Sequence, residues 1–159
     1  MALQTGRFPV SLTCTKVLAV AAAQAWGLVR DFDAMPAWND TVRQSHIEDG
    51  PADRVGCLRV LVFDDGGVWT HRLTGLSDVD MKLQYSIVGT PEPMRIPVWN
   101  YHAEMRIIPG GGDVLNAAHP TCTVEWRADF ETAHADEMTA RANQVFETGL
   151  AGLRRRLEA

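Results

Sequence analysis

A histidine stands where an apolar side chain is expected. In "GGVWTHRLTG", residues 66–75, Gly66 and Gly67 turn the backbone and an extended run follows. At the two-residue period of a strand, Trp69, His71 and Leu73 point to one side and Val68, Thr70 and Arg72 to the other. The first side is the apolar one. An imidazole has an ordinary pKa of about 6.5, and burial lowers it. A histidine in an apolar enclosure can therefore pass a proton near neutral pH, or it can simply hold a hydrogen bond. Two tyrosines share that setting. "MKLQYSIV" aligns Met81, Leu83, Tyr85 and Ile87, and "VWNYHAEMRII" aligns Trp99, Tyr101, Ala103, Met105 and Ile107. A phenol in apolar company needs a polar partner, which backbone or a ligand can supply. His46, His102, His119 and His134 fall on polar faces or in loops, where solvent is the expected partner.

Other chemistries find little support. Cys14, Cys57 and Cys122 are scattered, each within an expected strand, with no CxxC or close Cys/His spacing. No metal site is expected, and reduced core thiols fit a cytoplasmic protein. "GPADRVG" and "PGGGD" do not sit at a strand-to-helix junction, so no phosphate cradle and no cofactor is expected. Asp31 and Asp33 read as helix-end and turn residues. The formal charge of −5 argues against a nucleic-acid partner. The one basic cluster, Arg154 to Arg156, suits the C-terminal end of a helix dipole. The opening "MALQTGRFPV" lacks the basic start and apolar stretch of a signal peptide. No run approaches the roughly 18 apolar residues that a spanning helix needs, so membrane insertion is not expected.

What must position His71 and the tyrosines is legible as a sequence of elements. A chain of 159 residues, 46% hydrophobic and 22% charged, fits one globular domain. "SLTCTKVLAV" reads as a strand, and "AAAQAWGLVRDF" as a short helix through Ala22, Ala25, Trp26 and Val29. "AMPAW" is a second helical turn placed by Pro36. Six strands follow: "TVRQSHIE", "RVGCLRVLVF", "VWTHRLTGL", "MKLQYSIV", "VWNYHAEMRII" and "TCTVEWRADF". Short turns with Asp-Gly pairs favour antiparallel hairpins. The last segment changes period. Met138, Ala142, Val145, Phe146, Gly149, Leu150, Leu153 and Leu157 form a helical stripe with acids before it and arginines after it. One long amphipathic helix must bury that stripe, and a curling antiparallel sheet is its natural partner. Imperfect closure leaves a pocket. Gly149 either opens room beside Phe146 and Leu150 or serves as a helix-packing glycine.

In this order, "VRDFDAMPAWND", "SHIEDG", "RVGCLRVLVFDDGG", "THRLTGLSD", "YSIVGTPEP", "NYHAEMRIIP", "TCTVEWRADF" and "VFETGLAGLRRRL" resemble the polyketide cyclase/dehydrase and lipid-transport branch of the START-like (SRPBCC) superfamily. The resemblance spans roughly residues 10–157. It implies an α+β helix-grip fold, a curved antiparallel sheet of six to seven strands around a long C-terminal helix, with two short helices after strand 1. It further implies an N-terminal extension over 1–9 and a single START-like ligand-binding domain over 10–159. The cavity would be lined by Asn39, Val42, Arg59, Leu61, Phe63, His71, Tyr85, Ile87, Tyr101, Ala103, Met105, Phe146 and Leu150. The loop at Asp65-Gly66-Gly67 and "TPEPMRIP" would border its entrance. Where the family has an acid in a pattern like "ERL", this chain has His71 in "HRL".

Glu125 can be placed in two ways. Alternation puts Cys122, Val124, Trp126, Ala128 and Phe130 on the apolar side and Glu125 in water. The resemblance turns Glu125 toward the cavity, through a bulge that shifts the register. In that register Trp126 faces outward and calls for a covering partner, hence a homodimer. An inward Glu125 would join His71 and Tyr101 as a catalytic set, with Arg59 orienting the carboxylate. Such a set could enolise a bound carbonyl compound, close a ring and expel water. The expected function is thus binding of a hydrophobic, oxygenated small molecule, as a cyclase/dehydratase-like enzyme. The alternative is a non-catalytic carrier or sensor of a lipophilic metabolite, with a protein-interaction module as a third possibility that the short loops disfavour.

Overall fold

The computed structural model describes residues 6–92, 98–110 and 119–159. The chain runs β1 (Phe8–Leu18), α1 (Ala22–Val29), α2 (Met35–Trp38), β2 (Val42–Glu48), β3 (Leu58–Phe63), β4 (Val68–Ser77), β5 (Lys82–Glu92), β6 (Val98–Pro109), β7 (Cys122–Thr132) and α3 (Ala135–Glu158). The seven strands form one sheet in the order β1-β7-β6-β5-β4-β3-β2, with antiparallel pairing throughout. The curved sheet and long terminal helix make the helix-grip fold that the sequence leads one to expect.

The first strand pairs with the last, Phe8 opposite Thr132 through Leu18 opposite Cys122, without a register break. β1 and β2 are therefore opposite edges, and α1 and α2 carry the chain between them. Eight residues of α1 cannot hold a helix alone in water. Burial of Ala25, Trp26 and Val29 fixes it. So does Asp78 in the β4–β5 turn, which accepts from Trp26 Nε1 at 2.8 Å and from Arg30 Nε at 2.9 Å.

Three local expectations need correction. β3 begins at Leu58, because Gly56 takes a positive φ of 101° and ends any earlier extension. Cys57 thus lies before the strand rather than within it; it is fully buried, its thiol toward the Ala52 carbonyl. In β6 the register shifts between Trp99 and His102, with Asn100 at φ 53°. The extra residue turns Trp99 off the inner face, where Arg7 lies over its ring, and turns Val98 onto it.

α3 buries Met138, Phe146, Gly149, Leu150, Gly152 and Leu153. Its two buried glycines set how closely it approaches. A Cβ on Gly149 would meet the Trp126 ring at 2.8 Å and Asn39 Nδ2 at 3.0 Å, and one on Gly152 would strike the Trp38 carbonyl oxygen. Gly149 is accordingly a packing glycine: the room it leaves is filled by Trp126. The C-terminal half of α3 is clamped against the sheet and α2, while the N-terminal half stands away from them.

The two kinds of helical glycine predict opposite responses. Gly152→Ala forces overpacking against backbone and should lower stability by about 1–3 kcal/mol. Gly27→Ala, in α1 with nothing within 4 Å, should raise it by roughly 0.5–1 kcal/mol through helix propensity. Urea midpoints of the two variants check this, and a stability gain for Gly152→Ala would contradict the seating of α3.

Candidate functional site

Between the inner sheet face and residues 138–146 of α3 lies a cavity of about 290 Å³. Its location follows from the clamp: no residue C-terminal to Phe146 lines it. Phe146 stacks on Trp126 with ring centroids 4.2 Å apart and planes 8° from parallel, forming the wall where helix and sheet converge. Toward the other end Asp65, Arg141, Gln144 and Val145 are exposed and make the rim. The Asp65-Gly66-Gly67 loop thus borders the entrance as expected. Most of "TPEPMRIP" lies outside the described residues.

Of the residues singled out from the sequence, His71, Tyr101, Asn39, Leu61, Phe63, Tyr85 and Phe146 line the cavity. Val42, Ala103, Met105 and Leu150 are instead buried in the packed core, and Ile87 is half-buried off the cavity wall. Ala103 and Met105 lie on β6, against which α1 packs, and Val42 opens β2, against which α2 packs. Glu125 is excluded for a different reason. β7 keeps its alternation, with Val124, Trp126 and Ala128 buried, so Glu125 lies on the opposite face, across from Arg106 of β6. The expected bulge is absent there: register shifts in β6–β7 are confined to Trp99–His102. The same alternation turns Trp126 inward, 2% exposed, which removes the outward indole that suggested a homodimer. Sequence reasoning had put Trp126 on the apolar face but did not make it a cavity residue. It also missed Trp69, Phe130, Met138 and Arg141, although the helical stripe and strand period contained the first three.

Arg59 lies behind the wall rather than in it. It is 3% exposed, and its Nε donates to His71 Nδ1 at 3.0 Å. Its Nη1 donates to the Phe32 carbonyl at 3.2 Å, and its Nη2 has no partner among the described residues. Aromatic faces flank the guanidinium, Phe32 at 4.1 Å and Tyr85 at 4.8 Å. Burial lowers the Arg59 pKa to about 10, so it remains a cation at neutral pH.

This contact fixes the state of His71. An arginine N–H only donates, so Nδ1 must accept and the ring proton sits on Nε2. Burial, and then the positive charge of Arg59, holds the imidazole pKa well below 6.5. His71 is therefore neutral and a donor. Its ring stacks on Tyr85 at 4.4 Å. The Tyr85 hydroxyl accepts from Trp126 Nε1 at 3.0 Å, and the Tyr101 ring lies beside Tyr85 with centroids 6.5 Å apart. Burial pushes both phenols up, Tyr101 well above 10, so both stay protonated. Asn39 uses its Oδ1 on the Thr41 N–H and hydroxyl, and its Nδ2 has no partner among the described residues. Among the described residues no group of His, Cys, Asp and Glu could hold a metal ion.

The whole arrangement has relatives. A search of curated protein sequences gave no match. Among solved structures, an uncharacterized protein from Bacillus thuringiensis is 23% identical with a TM-score of 0.78, covering 94% of this chain and 100% of that one. The protein XoxI from Bacillus cereus is 23% identical with a TM-score of 0.77, covering 92% of this chain and 94% of that one. A START superfamily protein from Mycobacterium smegmatis is 17% identical with a TM-score of 0.73, covering 96% and 98%. At such identities the likeness is one of fold. The family model described as "Polyketide cyclase / dehydrase and lipid transport" matches residues 9–158, nearly the full length, and the chain belongs to that family.

Proposed function

We propose that this protein binds an oxygenated lipophile in the cavity and serves as its carrier or sensor. The observation that carries this is the state of His71, whose Nδ1 is occupied by Arg59 and whose Nε2 already bears the proton. Enolising a carbonyl compound requires a group that takes a proton near neutral pH. His71 would have to become a cation beside a buried cation, against the direction in which both burial and Arg59 push it. The phenols of Tyr85 and Tyr101 hold their protons. The single carboxylate among the described lining residues, Asp65, sits exposed at the rim. What remains is a set of donors in an apolar enclosure, a recognition site for oxygen acceptors.

One observation favours a cyclase or dehydratase instead. The His71 N–H and the tyrosine hydroxyls cluster where they could stabilise an enolate oxygen. Such an enzyme would rely on polarisation with a base from elsewhere, not on the set of His71, Tyr101 and Glu125. No described helix is long and apolar enough to cross a membrane.

Two lines of measurement test these statements, the first on the ligand. Ala142 lines the cavity from a half-buried position on α3. Ala142→Phe should fill it and weaken binding of the neutral fluorophore N-phenyl-1-naphthylamine at least tenfold while the protein stays folded. Native mass spectrometry of the purified protein should show a lipophile released with its mass unchanged; its conversion on standing would establish an enzyme. The second concerns pH. The folded pKa of His71 lies below its unfolded value, so below about pH 6.5 the unfolded chain takes up a proton that the folded protein does not. Stability must fall on acidification, with a slope approaching about 1.4 kcal/mol per pH unit from this one group. Relative to the His71→Gln variant, the wild type should therefore lose stability more steeply between pH 7.5 and 5. Parallel curves would mean that the imidazole titrates freely in the folded state.

A further inference from the structure

Taking the cavity as a lipophile site, we propose that it selects molecules ending in a carboxylate, seated on the Nε2–H of His71 and a tyrosine hydroxyl with the charge of Arg59 behind them. Arg59 is a buried cation whose partners are all neutral: an imidazole nitrogen, a carbonyl and two aromatic faces. Among the described residues it has no carboxylate within ion-pair distance. Buried charges are normally paired, because removal from water is costly and neutral acceptors offset only part of it. The unpartnered Nη2 marks the same deficit. At the rim, Asp65 and Arg141 contribute one charge of each sign, and the carboxylate whose charge reaches Arg59, Asp33, is the weakest of the influences on it and makes no ion pair with it.

Counting hydrogens gives the geometry. Trp126 Nε1 occupies one acceptor position on Tyr85, which leaves that hydroxyl its own hydrogen to donate. Two phenolic hydrogens enter, and a bond between the neighbouring rings can use at most one of them. The other has no acceptor among the described residues. With His71 Nε2–H, the cavity wall therefore presents two spare hydrogens on stacked or neighbouring rings, His71–Tyr85 at 4.4 Å and Tyr85–Tyr101 at 6.5 Å. A carboxylate offers two oxygens and one negative charge, matching both hydrogens and the buried cation. An ester can accept the hydrogens but leaves the charge unopposed, and an amine adds a second cation.

Isothermal titration at pH 7 with 2-naphthoate, methyl 2-naphthoate and 2-naphthylmethylamine separates these cases on one apolar skeleton. The carboxylate should bind at least tenfold more tightly than the ester, since charge-assisted hydrogen bonds are roughly twice as strong as neutral ones, and the amine should bind weakest. Arg59→Met should bring the acid and ester within about twofold of each other; the wild-type comparison stands even if that variant fails to fold. Equal affinity of acid and ester, or a preference for the amine, overturns carboxylate selection and leaves lipophile binding intact. If the naphthalenes fail while N-phenyl-1-naphthylamine binds, carboxylate selection is likewise overturned. If that dye fails as well, the lipophile site itself is refuted.

Discussion

The indole of Trp126 is where the sheet, the helices and the cavity meet. It projects from β7, stacks on Phe146 of α3, and takes the edge of Trp38 of α2 at 5.8 Å. Gly149 is small because the indole occupies the space beside it. A buried tryptophan removes 150–250 Å² from water, so this one ring contributes about 4–6 kcal/mol of gross burial. The ring therefore decides how far α3 stands from the sheet. On its C-terminal side the glycines let the helix close down; on the other side Phe146 props it open, and the cavity lies there. The indole N–H then orders the chemistry, because its bond to Tyr85 fills an acceptor position there and leaves the phenol a donor.

Electrostatics follow from the same packing. A charged guanidinium 3% exposed would be hard to tolerate without compensation, which here comes from hydrogen bonds of a charged donor at about 1.5–3 kcal/mol each and from two desolvated aromatic faces. These bonds hold the charge in place but do not neutralise it. The consequence is transmitted through His71, which is locked in one tautomer and kept neutral. A histidine so constrained is a poor proton shuttle and a good fixed dipole. The apolar company that made His71 look reactive in the sequence is the cause of its inertness in the fold.

How much of this could be read in the sequence depends on how local the cause is. Strand periods put Trp69, His71 and Leu73 on one face, and the 3.6-residue stripe located α3, because side-chain direction along an element is a local property. The short helices, with Pro36 starting the second, were legible for the same reason. The bulge at Asn100 was not, since nothing in "VWNYH" announces a positive φ at an asparagine. Nor could the sequence say which inner-face residues meet empty space and which meet the helix. Met105 and Tyr101 are four residues apart on one face, yet one is core and the other cavity, because what packs over each comes from elements far away in sequence. Arg59 was placed near the cavity, but its neutral surroundings depend on Phe32 and Tyr85 arriving from other elements.

Glu125 shows where family resemblance and local physics part. β7 is an interior strand held on both sides, by β1 in unbroken register and by β6 in register from His102 onward. Turning one residue inward there would disrupt both ladders and carry Val124 and Trp126 out of the core, a change that flips every neighbour on the strand. The alternation therefore prevails, and Glu125 goes to the convex face opposite Arg106, an arrangement that favours opposite charges across strands. The described wall of the cavity consequently carries no acid to set against Arg59. The rule that keeps the indole inside is the rule that keeps the carboxylate out, so the charge left beneath His71 follows from the pairing of β7 itself.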